Sequence, residues 1–354
     1  MGRVLSVLMA IPVIALAGCG GVESVDDGGA DAGGADGTDS MSSVDGASDT
    51  LSTDSPDSQV TPVEVLIASQ QFRAHAIAVD STNVYWTDYD GMGTISKCAT
   101  SGCAGSPVIL AVAQQFPNSL ALDDANVYWA NDDGTVMACA INGCAQTPTE
   151  IGAVTTTQFY YAGSLTLEAS QLYWATLDAV VTCPVSGCLG QPTPIITGQK
   201  PTVIAVDQTT LYWTDVGDGG PSGGKIMTCA IAGCGNAPLT IASSLPGPYA
   251  ITLDTKNIYW TDGNAVSSCS KASCASTIAT LVSNETPSGP SILVDGSNLY
   301  WSTAQNVMQC LGVTCPSGAA VLAANQNPFV LAVDATSIYW NDPTNGTISK
   351  LTPK

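Results

Sequence analysis

Thirteen cysteines, one histidine and thirty carboxylates hold most of the chemistry open to this 354-residue chain. Twelve cysteines form six C-x4-C pairs, Cys98/Cys103, Cys139/Cys144, Cys183/Cys188, Cys229/Cys234, Cys269/Cys274 and Cys310/Cys315; the odd one is Cys19. Such a spacing brackets a tight turn, and facing residues of a hairpin lie within reach of a disulfide. Zinc would need two pairs to converge in one tetrahedral site. Six disulfides are therefore expected, in an oxidising compartment outside the cytoplasm. No Ser-His-Asp constellation is legible around the single histidine, His75, which is expected to be a hydrogen-bonded surface group rather than a base or ligand. No catalytic residue is assigned.

The acids are more informative as a field than as a site. Thirty Asp and Glu against nine Lys and Arg leave a net charge of −21. A phosphate backbone must be neutralised by Lys and Arg, so nucleic acid is excluded as a primary partner. Only 11% of the residues are charged, against roughly 25% in ordinary globular proteins.

At the amino terminus, Arg3 precedes an apolar run from Val4 to Leu16, and small residues lead into Cys19. The run is too short to cross a hydrocarbon core, which needs about 20 helical residues, and reads as a signal peptide over residues 1–18. Leu16-Ala17-Gly18-Cys19 resembles the bacterial lipobox, which implies cleavage before Cys19 and its acylation. Gly20, where an inner-membrane retention signal would have Asp, points to the outer membrane of the cell envelope. Residues 20–62 hold nine Asp and Glu23 but no Lys, Arg, Trp, Tyr or Phe. Such a composition buries no core, and with Cys19 it reads as a solvated tether over 19–62. Its aspartates lack the EF-hand ligand order. Without these ten acids and Arg3, twenty acids and eight bases remain.

What must position the remaining chemistry is a repeat. All seven tryptophans follow a tyrosine, and successive ones (Trp86, Trp129, Trp174, Trp213, Trp260, Trp301, Trp340) lie 43, 45, 39, 47, 41 and 39 residues apart. This is the period of a four-stranded propeller blade. Each unit opens with an apolar stretch closed by an acid, such as Ile77-Ala78-Val79-Asp80 or Leu331-Ala332-Val333-Asp334, read as inner strand A. A polar turn leads to strand B, where alternation sends Tyr and Trp to opposite faces. Strands C and D, such as Gly93 to Cys98 and Pro107 to Ala111, flank the cysteine turn. No helical period is present. The chain ends just after the seventh strand C, while Val63 to Ala68 looks like an unattached strand D. The expectation is an all-β, seven-bladed propeller over 63–354, closed by its N-terminal strand.

Tyr85-Trp86-Thr87-Asp88, Tyr212-Trp213-Thr214-Asp215 and Tyr259-Trp260-Thr261-Asp262 resemble the YWTD signature of low-density-lipoprotein-receptor type propellers, and the other four units are degenerate versions. The resemblance covers residues 63 to 354. It implies an extracellular protein-binding platform that uses its top face, with the motif itself structural. The chain departs from that family in having seven units rather than six, no EGF-like modules and a lipobox.

The top face is made by the D-to-A and B-to-C connections. His75 and its repeat equivalents Asn118, Gly163, Thr202, Tyr249, Pro290 and Phe329 should ring the channel mouth. The B-to-C loops carry Asp88, Asp90, Asp132, Asp133, Asp178, Asp215, Asp218, Asp262 and Asp342. The candidate ligand contacts are His75, Asp90, Asn118, Asp132, Asp133, Asp178, Asp218, Tyr249 and Phe329. No metal site and no cofactor is assigned, calcium being the one ion an acidic face would favour. Strand A positions Ala78, Ala121, Thr166, Ala205, Thr252, Leu293 and Ala332 are expected to face the channel, too small and apolar to hold a hard cation. The resulting expectation is a non-catalytic, lipid-anchored binding or scaffold module with a protein or glycan partner at the cell surface, touching the membrane only through its anchor. The alternative is a metal-dependent hydrolase or lyase. Acids converging at the mouth favour the enzyme; acids spread over the rim favour the platform.

Overall fold

The computed structural model describes residues 61–154, 164–188, 190–217 and 223–354. Their apolar alternation takes shape as 28 strands and one four-residue helical turn, Cys274–Thr277. The strands form seven four-stranded antiparallel sheets, confirming the seven-bladed propeller. Blades are numbered by their Tyr-Trp unit, and strands A to D run in chain order from Ala74–Val79 through Asn83–Asp88 and Gly93–Ala99 to Val108–Gln114 in blade 1. The A strands of successive blades touch around the circle, the last (Leu331–Val333) meeting the first, so they form the inner wall. Blade 7 draws strand D from the other end of the chain: Val63–Ser69 pairs antiparallel with Thr347–Thr352.

The core lies between the blades. Blade 1 turns Ile77, Val79, Val84 and Trp86 against Ile67, Ala332, Tyr339 and Ile348 of blade 7. Its other face, Tyr85 and Ile95, packs on Leu122, Val127 and Trp129 of blade 2. All seven Trp side chains are buried. This geometry corrects the expectation for strand A. Ala78, Ala121, Ala205, Leu293 and Ala332 pack with the Tyr face of their own blade into the seam with the next one. A radial sheet turns both its faces to neighbours and its inner edge to the axis, so alternation along strand A selects between two seams.

Every residue of the YWTD unit has a structural duty. In blades 1, 2, 5 and 7 the Tyr hydroxyl donates to the acid closing strand A, as in Tyr85 to Asp80 at 2.7 Å and Tyr339 to Asp334 at 2.6 Å. The other oxygen of that acid accepts the amides of the A–B turn, for example Thr82 N and Asn83 N, both at 2.7 Å from Asp80. The third residue caps an amide at the start of strand A: Thr87 Oγ1 accepts from Ala76 N, Thr214 from Val203 N and Thr261 from Ala250 N. The fourth shapes the B–C turn, Asp215 accepting from Gly217 N and Asp262 from Asn264 N.

All six expected disulfides are present: Cys98–Cys103, Cys139–Cys144, Cys183–Cys188, Cys229–Cys234, Cys269–Cys274 and Cys310–Cys315, with Cα–Cα distances from 4.8 to 5.5 Å. Their setting corrects the expectation of facing hairpin residues. The first cysteine of each pair lies in strand C, but the second is in the connection and not on strand D. Cys234 precedes its strand D (Leu239–Leu245), and Cys315 precedes Ala320–Ala324. The residue across from Leu239 is Thr228, and Ala320 faces Gln309, so neither Cys229 with Cys234 nor Cys310 with Cys315 is a cross-strand pair. Cysteines five positions apart can bridge in this way because the chain folds back inside the turn. Gly233, with φ 96°, makes that bend before Cys234; Cys315, preceded by Thr314 and not by glycine, has positive φ itself at 50°.

Several cysteine turns also lean on strand D of the preceding blade: Cys103 N donates to Ile67 O and Cys188 N to Ile151 O. Cys234 packs in the seam between blades 3 and 4, and Cys315 in that between blades 5 and 6. In blade 7, Leu351 faces Ile338 in the register that sets Cys98 opposite Val84.

Candidate binding site at the mouth of the ring

Strand A of blades 1 and 2 begins three residues earlier than the apolar pattern suggests, at Ala74 and Pro117. Each is irregular there, the register shifting between Ala74 and Ile77 and between Pro117 and Ser119. His75 and Asn118 lie in these irregular stretches, and bulges of this kind re-aim side chains at sheet ends. The third motif residue of one blade also grips the mouth residue of the next: Thr214 Oγ1 donates to Tyr249 O, Ser302 Oγ to Phe329 O, and Asn341 Nδ2 to His75 O and to Ala74 O before it. The mouth is therefore held by the same motif that builds the blades.

Four rings meet there in a row across blades 7, 1 and 2. His75 stacks on Tyr89 with centroids 4.8 Å apart and meets Phe329 at 4.9 Å; Tyr89 in turn meets Phe116 at 5.2 Å. Beside the rings is a carboxylate. Asp132 accepts from Tyr89 Oη at 2.6 Å and from Asn118 Nδ2 at 2.5 Å. His75 Nδ1 donates to Asn118 O at 3.0 Å, which leaves the lone pair of a neutral ring on Nε2. Burial lowers the His75 pKa and outweighs the Asn118 carbonyl and the Asp132 charge, which act the other way, so the ring is neutral at pH 7. Outside the row, Arg73 pairs with Asp90 at 2.7 Å. Burial, reinforced by Asp90 and opposed by Arg73, raises the Asp88 carboxyl.

The expected site residues thus divide. His75, Asn118, Asp132 and Phe329 are brought together, and Asp90 stands at the edge of that group with Arg73. Asp133 caps its own turn, accepting from Thr135 N at 3.0 Å and Thr135 Oγ1 at 2.6 Å. Asp178 is exposed in the B–C turn of blade 3, its carbonyl accepting from Gln199 N. Tyr249 is exposed at the mouth in blade 5. Asp218 and Gly163 fall outside the described residues, as do the signal peptide, Cys19 and the tether up to residue 60. Among the described residues no group of three His, Cys, Asp or Glu converges to hold a metal ion. Tyr89 and Phe116 were missed: Tyr89 follows the first YWTD unit directly, and Phe116 sits in the connection into blade 2, where no periodicity marks it. The one available signal was an aromatic residue in each loop, Tyr89 between Asp88 and Asp90 and Phe116 between Gln115 and Pro117.

No protein family and no curated protein matches this sequence. Solved structures share the fold. Virginiamycin B lyase from Staphylococcus aureus superposes with a TM-score of 0.64 at 14% identity, over 82% of this chain and 98% of that one. A catalytically inactive variant of that enzyme with quinupristin gives 0.63 at 13% identity, over 82% and 98%. The WD40 propeller domain of Doa1 gives 0.59 at 9% identity, over 82% and 97%. At these identities the likeness is one of fold.

Proposed function

We propose that this chain is an extracytoplasmic, lipid-anchored binding or scaffold module related to YWTD propellers, which takes a protein or glycan partner on its top face without catalysing a reaction. The observation that carries the reading is the row Phe329–His75–Tyr89–Phe116 with Asp132 beside it. Three blades contribute to it, and the rest of the motif chemistry is spent on structure. Loops on a rigid scaffold are where binding residues concentrate. The tether and anchor supply the address, and Cys19→Ser is expected to move the chain from the membrane to the soluble fraction; retention in the membrane would refute the anchor. The binding reading is tested by surface plasmon resonance of the full chain against basic proteins and soluble glycans. Asp90→Ala with Asp132→Asn, which leaves Asn118 an acceptor, should abolish capture while the melting temperature holds, and equal losses of both would assign these acids to the fold.

A metal-dependent hydrolase or lyase is the second reading, favoured by one observation. His75, held by the Asn118 carbonyl, presents the unprotonated nitrogen a general base needs. Turnover abolished by His75→Gln with binding retained would establish it.

A further inference from the structure

Within the mouth cluster each donor atom already has an acceptor, and acceptor capacity is left over. Tyr89 Oη and Asn118 Nδ2 both donate to Asp132, and His75 Nδ1 donates to the Asn118 carbonyl. Asn118 is only 8% exposed, and its bond to a carboxylate fixes which end of the amide is nitrogen. Its Oδ1 is then a buried acceptor without a donor among the described residues, an arrangement that is costly unless something completes it. His75 Nε2 and the Asp132 carboxylate add further acceptor capacity in a domain whose acids outnumber its bases. The aromatic faces of Tyr89, Phe116 and Phe329 stand beside them, and such faces attract cations.

The backbone adds a second observation. The residue thirteen before the tryptophan has positive φ in blades 2, 5 and 7, where it is Phe116 at 52°, Gly247 at 78° and Asn327 at 44°. Glycine and asparagine are the ordinary occupants of that conformation. A phenylalanine there is strained, and it is 41% exposed, so the inter-blade core does not account for it.

Building on the top-face reading, we infer that the partner engages this mouth through an N–H-bearing cation, a lysine ammonium or arginine guanidinium on a basic polypeptide segment, seated against Phe116 and Tyr89 and hydrogen-bonded to Asp132. A neutral glycan supplies donors but gains nothing from the acidic field, and a quaternary ammonium gains from the rings but has no N–H for the acceptors.

The test is isothermal titration of the full chain with deca-lysine, deca-arginine, deca(trimethyl-lysine) and a neutral oligosaccharide, at low and high salt. Both N–H-bearing peptides are expected to bind. Phe116→Gly should weaken them about five- to thirty-fold, as loss of a cation–aromatic contact does, while the melting temperature stays level or rises because glycine relieves the strain. Asp132→Asn, which removes the charge, keeps the outline and an acceptor for Asn118, and lets the Tyr89 hydroxyl accept where it now donates, should weaken them at least as much. If the oligosaccharide binds in a Phe116-dependent way and the peptides do not, the inference falls and the top-face reading stands. Equal binding of the trimethylated peptide overturns the hydrogen-bonded cation. If no probe binds, or if the peptides bind wild type and both variants alike, the inference and the reading fall together.

Discussion

At the scale of single residues, the tryptophans look identical in sequence and are not equivalent in place. Trp86 and Trp129 donate from Nε1 to Gln71 and Gln114, each at 2.9 Å, and Trp340 to Gln326 at 3.3 Å. Each glutamine lies in or just after strand D of the preceding blade, so the bond ties two blades. The buried Nε1 atoms of Trp213, Trp260 and Trp301 have no acceptor among the described residues. Trp129→Phe is therefore expected to destabilise the fold by about 1 kcal/mol more than Trp213→Phe, because it also removes a buried hydrogen bond, leaving the Gln114 carbonyl with the longer bond from Asn131 Nδ2 at 3.3 Å. Denaturant melts of the two variants check this, and equal losses would refute it. Trp213→Ala should cost about 3 to 5 kcal/mol, since it empties a seam rather than one bond.

The acid–tyrosine pairs make stability a function of pH. Asp80, Asp254 and Asp334 titrate below the usual carboxylate range: burial pushes them up, but bonds from Tyr and from turn amides prevail. Asp207 is lowered in the same way with Lys271 in place of Tyr. Their contribution is present above about pH 4 and lost as pH falls through the depressed values. Asp88, Asp262, Glu168 and Glu285 are raised by burial and act in the opposite sense, which makes the acid limb shallow. All seven motif tyrosines are raised, by burial first. Their contribution is intact below about pH 10 and lost above it. Melting temperature should fall steeply on the alkaline side, and a flat profile there would count against the pairing.

At the scale of elements, the cysteine turns clamp seams as well as themselves. A Cβ on Gly152, in strand D of blade 2 (Thr149–Ala153), would come within 2.7 Å of Cys188 Sγ in the turn of blade 3. Gly152→Ala should therefore loosen the seam between blades 2 and 3, exposing the turn at Cys183–Cys188 to proteolysis before any other cysteine turn; unchanged digestion would refute the seating. Replacing Cys139 and Cys144 together by serine should cost no more than about 2 kcal/mol, because so short a loop constrains the unfolded chain little.

At the scale of the molecule, closure matters most. The strand Val63–Ser69 completes blade 7 by pairing with the last strand of the chain, with Ile67 and Ala68 buried in the seam between blades 7 and 1. Removing residues 1–69 should leave strand Thr347–Thr352 as an open edge and replace one cooperative thermal transition by a broad one at lower temperature. A sharp, unshifted transition would show that the ring closes without it. Lys354 ties the seam on the other side of blade 7, its Nζ bonding the Asp295 carboxylate of blade 6 and the Asp334 carbonyl of blade 7.

The seven units, the four strands in each, the disulfide pairs and the closing strand were all legible in the sequence, because each rests on a short-range pattern: period-two alternation, turn residues and cysteines five positions apart. Asp132 and His75 were legible only as candidates. What the chain order left open was which loop residues become neighbours. Phe329 and His75 are 254 positions apart yet their rings meet at 4.9 Å, and Asp132 reaches Tyr89 across 43 residues. Ring closure and blade rotation decide those pairings. They also turn the small side chains of strand A into the seams instead of toward the axis, because a sheet standing edge-on to the centre has its neighbours, and not the channel, on either side.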